Sequence, residues 1–218
     1  MSKSDSILNK EDLGWHVTQR WQSYEGEIRS AILRAILIAI FYSVQLFNYF
    51  VFTEGTDSDI SFHRNITFLC AGWSLISLAV LVALSRQFFP TWLKYCTSSC
   101  DLLLLTLAAA LGSGPTSPLI LCFGLLIAMS ALRANLALVW FVTIAACLCY
   151  VGLVGLFDKT WFDSDHATPP IFALVALATL ASIGVVAGQI VRLFRSAANM
   201  YAERLDAWQV PQGASEDE

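Results

Sequence analysis

Charge is what this chain lacks most. Only 14% of its 218 residues are Asp, Glu, Lys or Arg, against 56% hydrophobic, where a soluble domain carries roughly 25% charged residues. A soluble domain is thereby excluded, and the composition is that of an integral membrane protein. Thirteen basic and 17 acidic side chains leave a net charge of −4, with no basic cluster able to track phosphates, so no nucleic acid is expected as a partner. Histidine is scarce: His16, His63 and His166 all fall outside the apolar runs, which excludes a haem held between two membrane-embedded imidazoles. The six cysteines lie inside those runs, where a disulfide framework would have no loops to staple. They read as small packing residues. No phosphate-binding Gly-rich loop, zinc motif or Gly-x-Ser-x-Gly elbow occurs, so neither enzymatic activity nor a metal is expected.

Long apolar runs are what is there. Six segments approach the roughly 20 residues that cross a ~30 Å hydrocarbon core, at 31–52, 65–85, 92–111, 117–133, 136–156 and 170–194. Placed on alternate sides, eleven of the 13 Lys and Arg residues share one side and only Arg64 and Lys159 lie on the other. That bias puts both termini in the cytoplasm. The expected fold is an all-α integral membrane protein, a six-helix transmembrane bundle over 31–194. A cytoplasmic segment, 1–30, precedes it. There Leu13, Val17, Trp21, Tyr24 and Ile28 recur at helical spacing, as in a helix lying on the membrane surface or one covering other protein. A short cytoplasmic tail, 195–218, follows, and no signal peptide is seen.

One carboxylate interrupts this pattern. Asp101 stands in Cys-Thr-Ser-Ser-Cys-Asp-Leu-Leu-Leu-Leu, about ten residues into the third span and so near mid-membrane at 1.5 Å per residue. An ionisable group there costs at least ~2.5 kcal/mol and marks either a polar helix contact or a functional site. Lys94 is expected to snorkel away from it. Polar groups on other helices, Gln45, Asn48, Ser74, Ser77 and Gln189, are the expected partners, with no cation among them. Two further features are readable. The loop Gly112 to Pro118 joins the third and fourth spans as a tight turn, with Pro118 restarting the helix. Gly184 and Gly188 form a Gly-x-x-x-Gly pair that lets a neighbouring helix, inside the chain or in a second copy, approach closely.

From Cys100-Asp101-Leu102 through Leu111-Gly112-Ser113-Gly114-Pro115-Thr116-Ser117-Pro118-Leu119, the chain resembles the six-helix sensor region of bacterial RegB-type histidine kinases. The family's third helix carries an Asp near its start and leads to a Gly-Gly-x-x-Asn-Pro-Phe loop associated with quinone. Gly114 and Pro118 match that loop, while Ser113, Ser117 and Leu119 stand for its first Gly, its Asn and its Phe. The resemblance implies a bacterial inner-membrane protein with a site for quinone or another apolar ligand at Asp101, Gly114, Ser117 and Pro118. The phosphorylatable His and ATP-binding domain that follow the sixth helix in that family have no counterpart in these 218 residues. The expectation is therefore a non-catalytic sensory or regulatory module, embedded in the lipid bilayer, whose output passes through a membrane-protein partner or a homo-oligomer. The alternative is an accessory or assembly subunit of a larger membrane complex; a small proton-coupled transporter using Asp101 ranks third.

Overall fold

In the computed structural model, residues 3–52, 57–86, 90, 92–112, 114–157 and 169–209 are described, with side chains for 26–51, 60–86, 90, 92–112, 114–157, 169–198 and 200–201. All regular structure among them is helical: α1 Lys3–Phe52, α2 Asp57–Ser85, α3 Leu93–Leu111, a 3-10 turn at Gly114–Thr116, α4 Ile120–Ala131, α5 Leu136–Phe157 and α6 Pro170–Gln209. Four stretches, Gly26–Val51, Ile60–Ser85, Leu136–Phe157 and Pro170–Ala198, are long and apolar enough to cross a membrane. This is a multi-pass membrane protein.

Three spans differ from the sequence expectation. The third, expected over 92–111, forms α3, but α3 is not among those four stretches. The fourth contracts to the 12 residues of α4, about 18 Å of helix, because Ser117 to Leu119 at one end and Leu132 to Ala134 at the other are taken up by turns. The first does not begin at residue 31: α1 runs unbroken through 50 residues. The face of Leu13, Val17, Trp21 and Tyr24 lies outside the described side chains, as do His16, His166, the loops 53–56 and 158–168, and the tail past Gln209.

Helix α5 is the axis of the bundle. Leu138, Val139, Val142, Ala146, Tyr150 and Leu153 are buried on it and recur at the three- and four-residue spacing that keeps side chains on one side of a helix. Against it pack α3, α4 and α6; Leu102 and Leu105 of α3, Phe123 and Ile127 of α4, and Leu180, Ala187 and Val191 of α6 join the core, as do Ile38 of α1 and Trp73 of α2. Outward-facing leucines such as Leu103, Leu121, Leu148 and Leu174 are largely exposed, as befits side chains that meet lipid. Burial in lipid offers no hydrophobic gain between helices, so close packing and polar contacts must hold the bundle. Helices α1 and α2 pack on one another, and α2 on α3, at one edge of the assembly.

The close packing is visible where α6 crosses α5. At Gly184 an added Cβ would fall on the Thr143 side chain, and at Gly188 it would sit 3.5 Å from Leu136. The Gly-x-x-x-Gly pair thus faces α5 of its own chain.

Candidate functional site

The polar contacts concentrate at one end of the bundle. On α1, Glu27, Ser30 and Arg34 are spaced by three and four residues and share a face; on α3, Lys94, Thr97, Ser98 and Asp101 do the same. The chain after α4 turns sharply, with Ala134 in the left-handed region at φ 48°. Asn135 then starts α5, its Oδ1 accepting the Leu138 N–H at 3.2 Å. This turn carries Arg133 into the space between α1 and α3.

Asp101 is buried and has a cationic partner. Arg34 donates from Nε to Oδ2 at 2.8 Å, and its Nη2 lies 2.8 Å from the same oxygen. The other oxygen, Oδ1, accepts the Trp73 indole N–H at 2.8 Å. Arg34 and Trp73 thus hold the carboxylate where the sequence pointed to Gln45, Asn48, Ser74, Ser77 or Gln189. Lys94 takes no part in that pair; its ammonium lies 5.5 Å from the centre of the Tyr95 ring.

A second buried pair lies beside the first. Arg133 Nη2 is 3.1 Å from Glu27 Oε2, with both side chains at most 5% exposed, and it also donates to Ser30 Oγ at 3.1 Å. Its Nη1 donates to the Lys94 carbonyl at 3.0 Å and to Ser98 Oγ at 2.9 Å. One planar guanidinium therefore ties the α4–α5 turn to both α1 and α3, which is what its fixed fork of donors suits it to do. Gly26 of α1 lies against the turn: a Cβ there would sit at contact distance, 3.4 Å from the Arg133 Cα and the Leu132 carbonyl. On the far side of the turn, Arg195 of α6 donates through Nε and Nη2 to the Ala134 carbonyl at 3.2 and 2.8 Å.

Between the pairs is a cavity of about 10 Å³, lined by Ser30, Ser98, Asp101, Ser130 and Arg133 and by the apolar Leu126, Met129 and Val142, large enough for about one water. The two carboxylates and two guanidiniums balance in charge. Taking two such ions out of water costs several kcal/mol each unless geometry and extra hydrogen bonds offset it. Here the offset comes from Trp73, Ser30, Ser98 and a main-chain carbonyl. Chemically the arrangement is a lock that fixes the register of α1, α2, α3 and the α4–α5 turn.

The remaining expected site residues do not join it. Gly114, Ser117 and Pro118 follow the C-terminal end of α3, which comes ten residues, about 15 Å, beyond Asp101. Gly114 adopts φ +62°, and an added Cβ there would meet the Phe157 ring at 2.9 Å. Ser117 is buried, its Oγ accepting the Leu119 N–H at 3.3 Å; Pro118 is exposed. Asp101 and the loop are separate places. Glu27, Arg34, Trp73 and Arg133 are the participants that sequence reasoning missed.

Compared with known protein families, with curated proteins and with solved structures, the chain matches none.

Proposed function

We propose that this protein is a non-catalytic sensory or regulatory module of the bacterial inner membrane. In this reading all six apolar segments cross the bilayer, the short α4 together with the turns at its two ends, both termini are cytoplasmic, and the ionic lock lies toward the cytoplasmic end. The observation that carries it is the Arg133–Ala134 turn. Through Glu27 and Ser30 it holds α1, through Ser98 and the Lys94 carbonyl it holds α3, and through Arg195 it holds α6. Both α1 and α6 run on as helix past the turn, α1 back to Lys3 and α6 forward to Gln209. At 1.5 Å per residue these extensions reach about 35 and 20 Å. A shift of α3 or α2 within the membrane would move the carboxylate that Arg34 and Trp73 hold, and the turn would pass that shift to two levers on one side. A partner protein or a second copy would read the levers. The resemblance to the sensor region of RegB-type kinases supports the same assignment, with an apolar ligand as the stimulus.

Hydrogen exchange in lipid nanodiscs tests the relay on the full chain. Asp101→Asn should raise amide exchange in 196–209, the stalk by which α6 runs past the turn, by about fivefold or more while α5 stays protected, because opening of this stalk is a local equilibrium separable from global unfolding. In an Arg195→Ala background the same substitution should leave the stalk unchanged. If Asp101→Asn alters abundance or assembly but never the stalk, the chain is an accessory subunit of a larger membrane complex instead.

A further inference from the structure

Three buried side-chain atoms among the described residues have no hydrogen-bond partner: Ser77 Oγ, Arg133 Nε and the Tyr150 hydroxyl. Arg133 belongs to the lock. Ser77 differs, because it lines a large opening. Between α1 and α2 runs a cleft of about 500 Å³, within the range of small-molecule sites. Its rim is made of small residues, Ala35, Ala39, Ala71 and Ser74, and its floor of Ile38, Cys70 and Ser77. From Thr67 to Leu81, the first and last α2 residues along it, it extends about 21 Å.

We propose that this cleft binds a neutral, membrane-soluble molecule with an elongated apolar body and one carbonyl group, which accepts a hydrogen bond from Ser77. Each part of that description has a source in the site. No charged side chain lines the cleft, so the occupant is neutral. The hydroxyls of Ser43, Thr67, Thr106, Thr143, Thr179 and Ser182 each donate to a carbonyl one turn back. Ser77 does not, although its residue is only 3% exposed. A buried hydroxyl deprived of a partner costs about 1–3 kcal/mol, and an acceptor on the occupant removes that cost. Depth excludes a bilayer phospholipid as the source of the carbonyl. With α2 crossing the bilayer, Ser77, eight residues inside its end, lies about 12 Å below that end, past the roughly 6 Å of polar layer that a bilayer of about 40–45 Å leaves on each side of a ~30 Å core.

The cleft deepens the sensory reading and rests on it only for its consequence. Ser77 lies one helical turn from Trp73 on α2, and Trp73 holds Asp101. An occupant that draws on Ser77 therefore acts on the helix that supplies one of the carboxylate's three contacts.

Photolabelling tests the cleft without reference to signalling. The full chain in lipid nanodiscs would be irradiated with an alkyl-tailed benzophenone, itself a neutral lipid-soluble ketone, and the labelled peptides mapped by mass spectrometry. Label should concentrate on α1 residues 35–42 and α2 residues 67–81. Ser77→Ala should lower it by about fivefold, the worth of one hydrogen bond, and Ser77→Thr should keep it. Ser74→Trp should abolish it by filling the rim, with size-exclusion profiles confirming that each variant is folded. Label spread evenly over all lipid-facing helices, label indifferent to Ser77→Ala, or cross-links from these positions to another polypeptide would each overturn the proposal. A cleft that labels as expected while the stalk exchange stays fixed would remove the relay and leave the binding site.

Discussion

Arg34 and Asp101, 67 positions apart, meet through two contacts of 2.8 Å on a single carboxylate oxygen, leaving the other oxygen to the Trp73 indole. Each ion lies in an apolar stretch, and each accounts for the other's presence there. The pair is one of two ionic ties among the described residues, with Glu27 and Arg133 the other, that join α1 to the bundle, since α1 otherwise packs chiefly along α2 at the edge.

Removing one ion should cost far more than removing both. Asp101→Asn leaves Arg34 buried and uncompensated, so stability should fall by about 3 kcal/mol or more. The double variant Arg34→Met with Asp101→Leu should recover most of that loss. It should fall short by about 1–3 kcal/mol, because the Trp73 N–H is left bare. Thermal unfolding of the four species in detergent closes the cycle. Purely additive single effects would mean that the ions act independently.

Asp101 was legible as a site because it is a lone carboxylate in an apolar run; Arg34 was not, although the same signal attends it. Ala31-Ile32-Leu33 precedes Arg34 and Ala35-Ile36-Leu37 follows, yet the residue reads naturally as one more cytoplasmic positive charge. Treating every ion flanked by apolar residues on both sides as needing an opposite partner would have paired the two. Glu27 and Arg133 gave less warning, since both stand at the edge of their apolar runs and look solvated. The bundle was more legible than the lock. Helices α2, α5 and α6 follow from uninterrupted apolar stretches, while the ends of α4 depended on turns that hydropathy does not mark. The distance between Asp101 and the Gly114 loop was implicit in helix rise. The resemblance grouped the two as one site, and the fold separates them by about half of α3.

The two glycines of α6 should respond differently to the same substitution. Gly184→Ala drives a methyl group into Thr143, which is itself fixed by its bond to the Val139 carbonyl at 2.8 Å. The expected loss is about 1–3 kcal/mol, the usual cost of overpacking. Gly188→Ala meets Leu136 only at 3.5 Å and should change stability by less than about 0.5 kcal/mol. Thr143→Ala should relieve the first variant. Equal effects at both positions would show that α6 does not cross α5 in this register.

Ala134 carries strain that glycine would release. Its φ of 48° costs a residue with a Cβ about 1–2 kcal/mol, while glycine's extra freedom in the unfolded chain takes back about 0.5–1 kcal/mol. Ala134→Gly should therefore raise stability by about 0.5–1 kcal/mol, read as a higher melting temperature. Because Arg195 binds the carbonyl of this residue and not its side chain, stalk exchange should be unaltered. A fall in stability would mean that the turn is not left-handed here.

Arg133 offers the sharpest separation of charge from geometry. Lysine at this position keeps a cation for Glu27 but has no fork, so it cannot reach Ser30, Ser98 and the Lys94 carbonyl together. Arg133→Lys should cost about 1–3 kcal/mol, the scale of one or two hydrogen bonds to a charged group. Arg133→Met strands the Glu27 carboxylate and should cost about 3–5 kcal/mol, and adding Glu27→Gln should return much of it. If the turn is the coupling element, Arg133→Lys should also loosen the 196–209 stalk beyond what its stability loss explains. With charge present and the fork absent, α1 and α3 are no longer held to the turn by a single group, while Arg195 still joins α6 to the Ala134 carbonyl. Should lysine instead match arginine in both stability and stalk exchange, charge neutralisation alone would account for the residue, and the turn would lose its role in transmission.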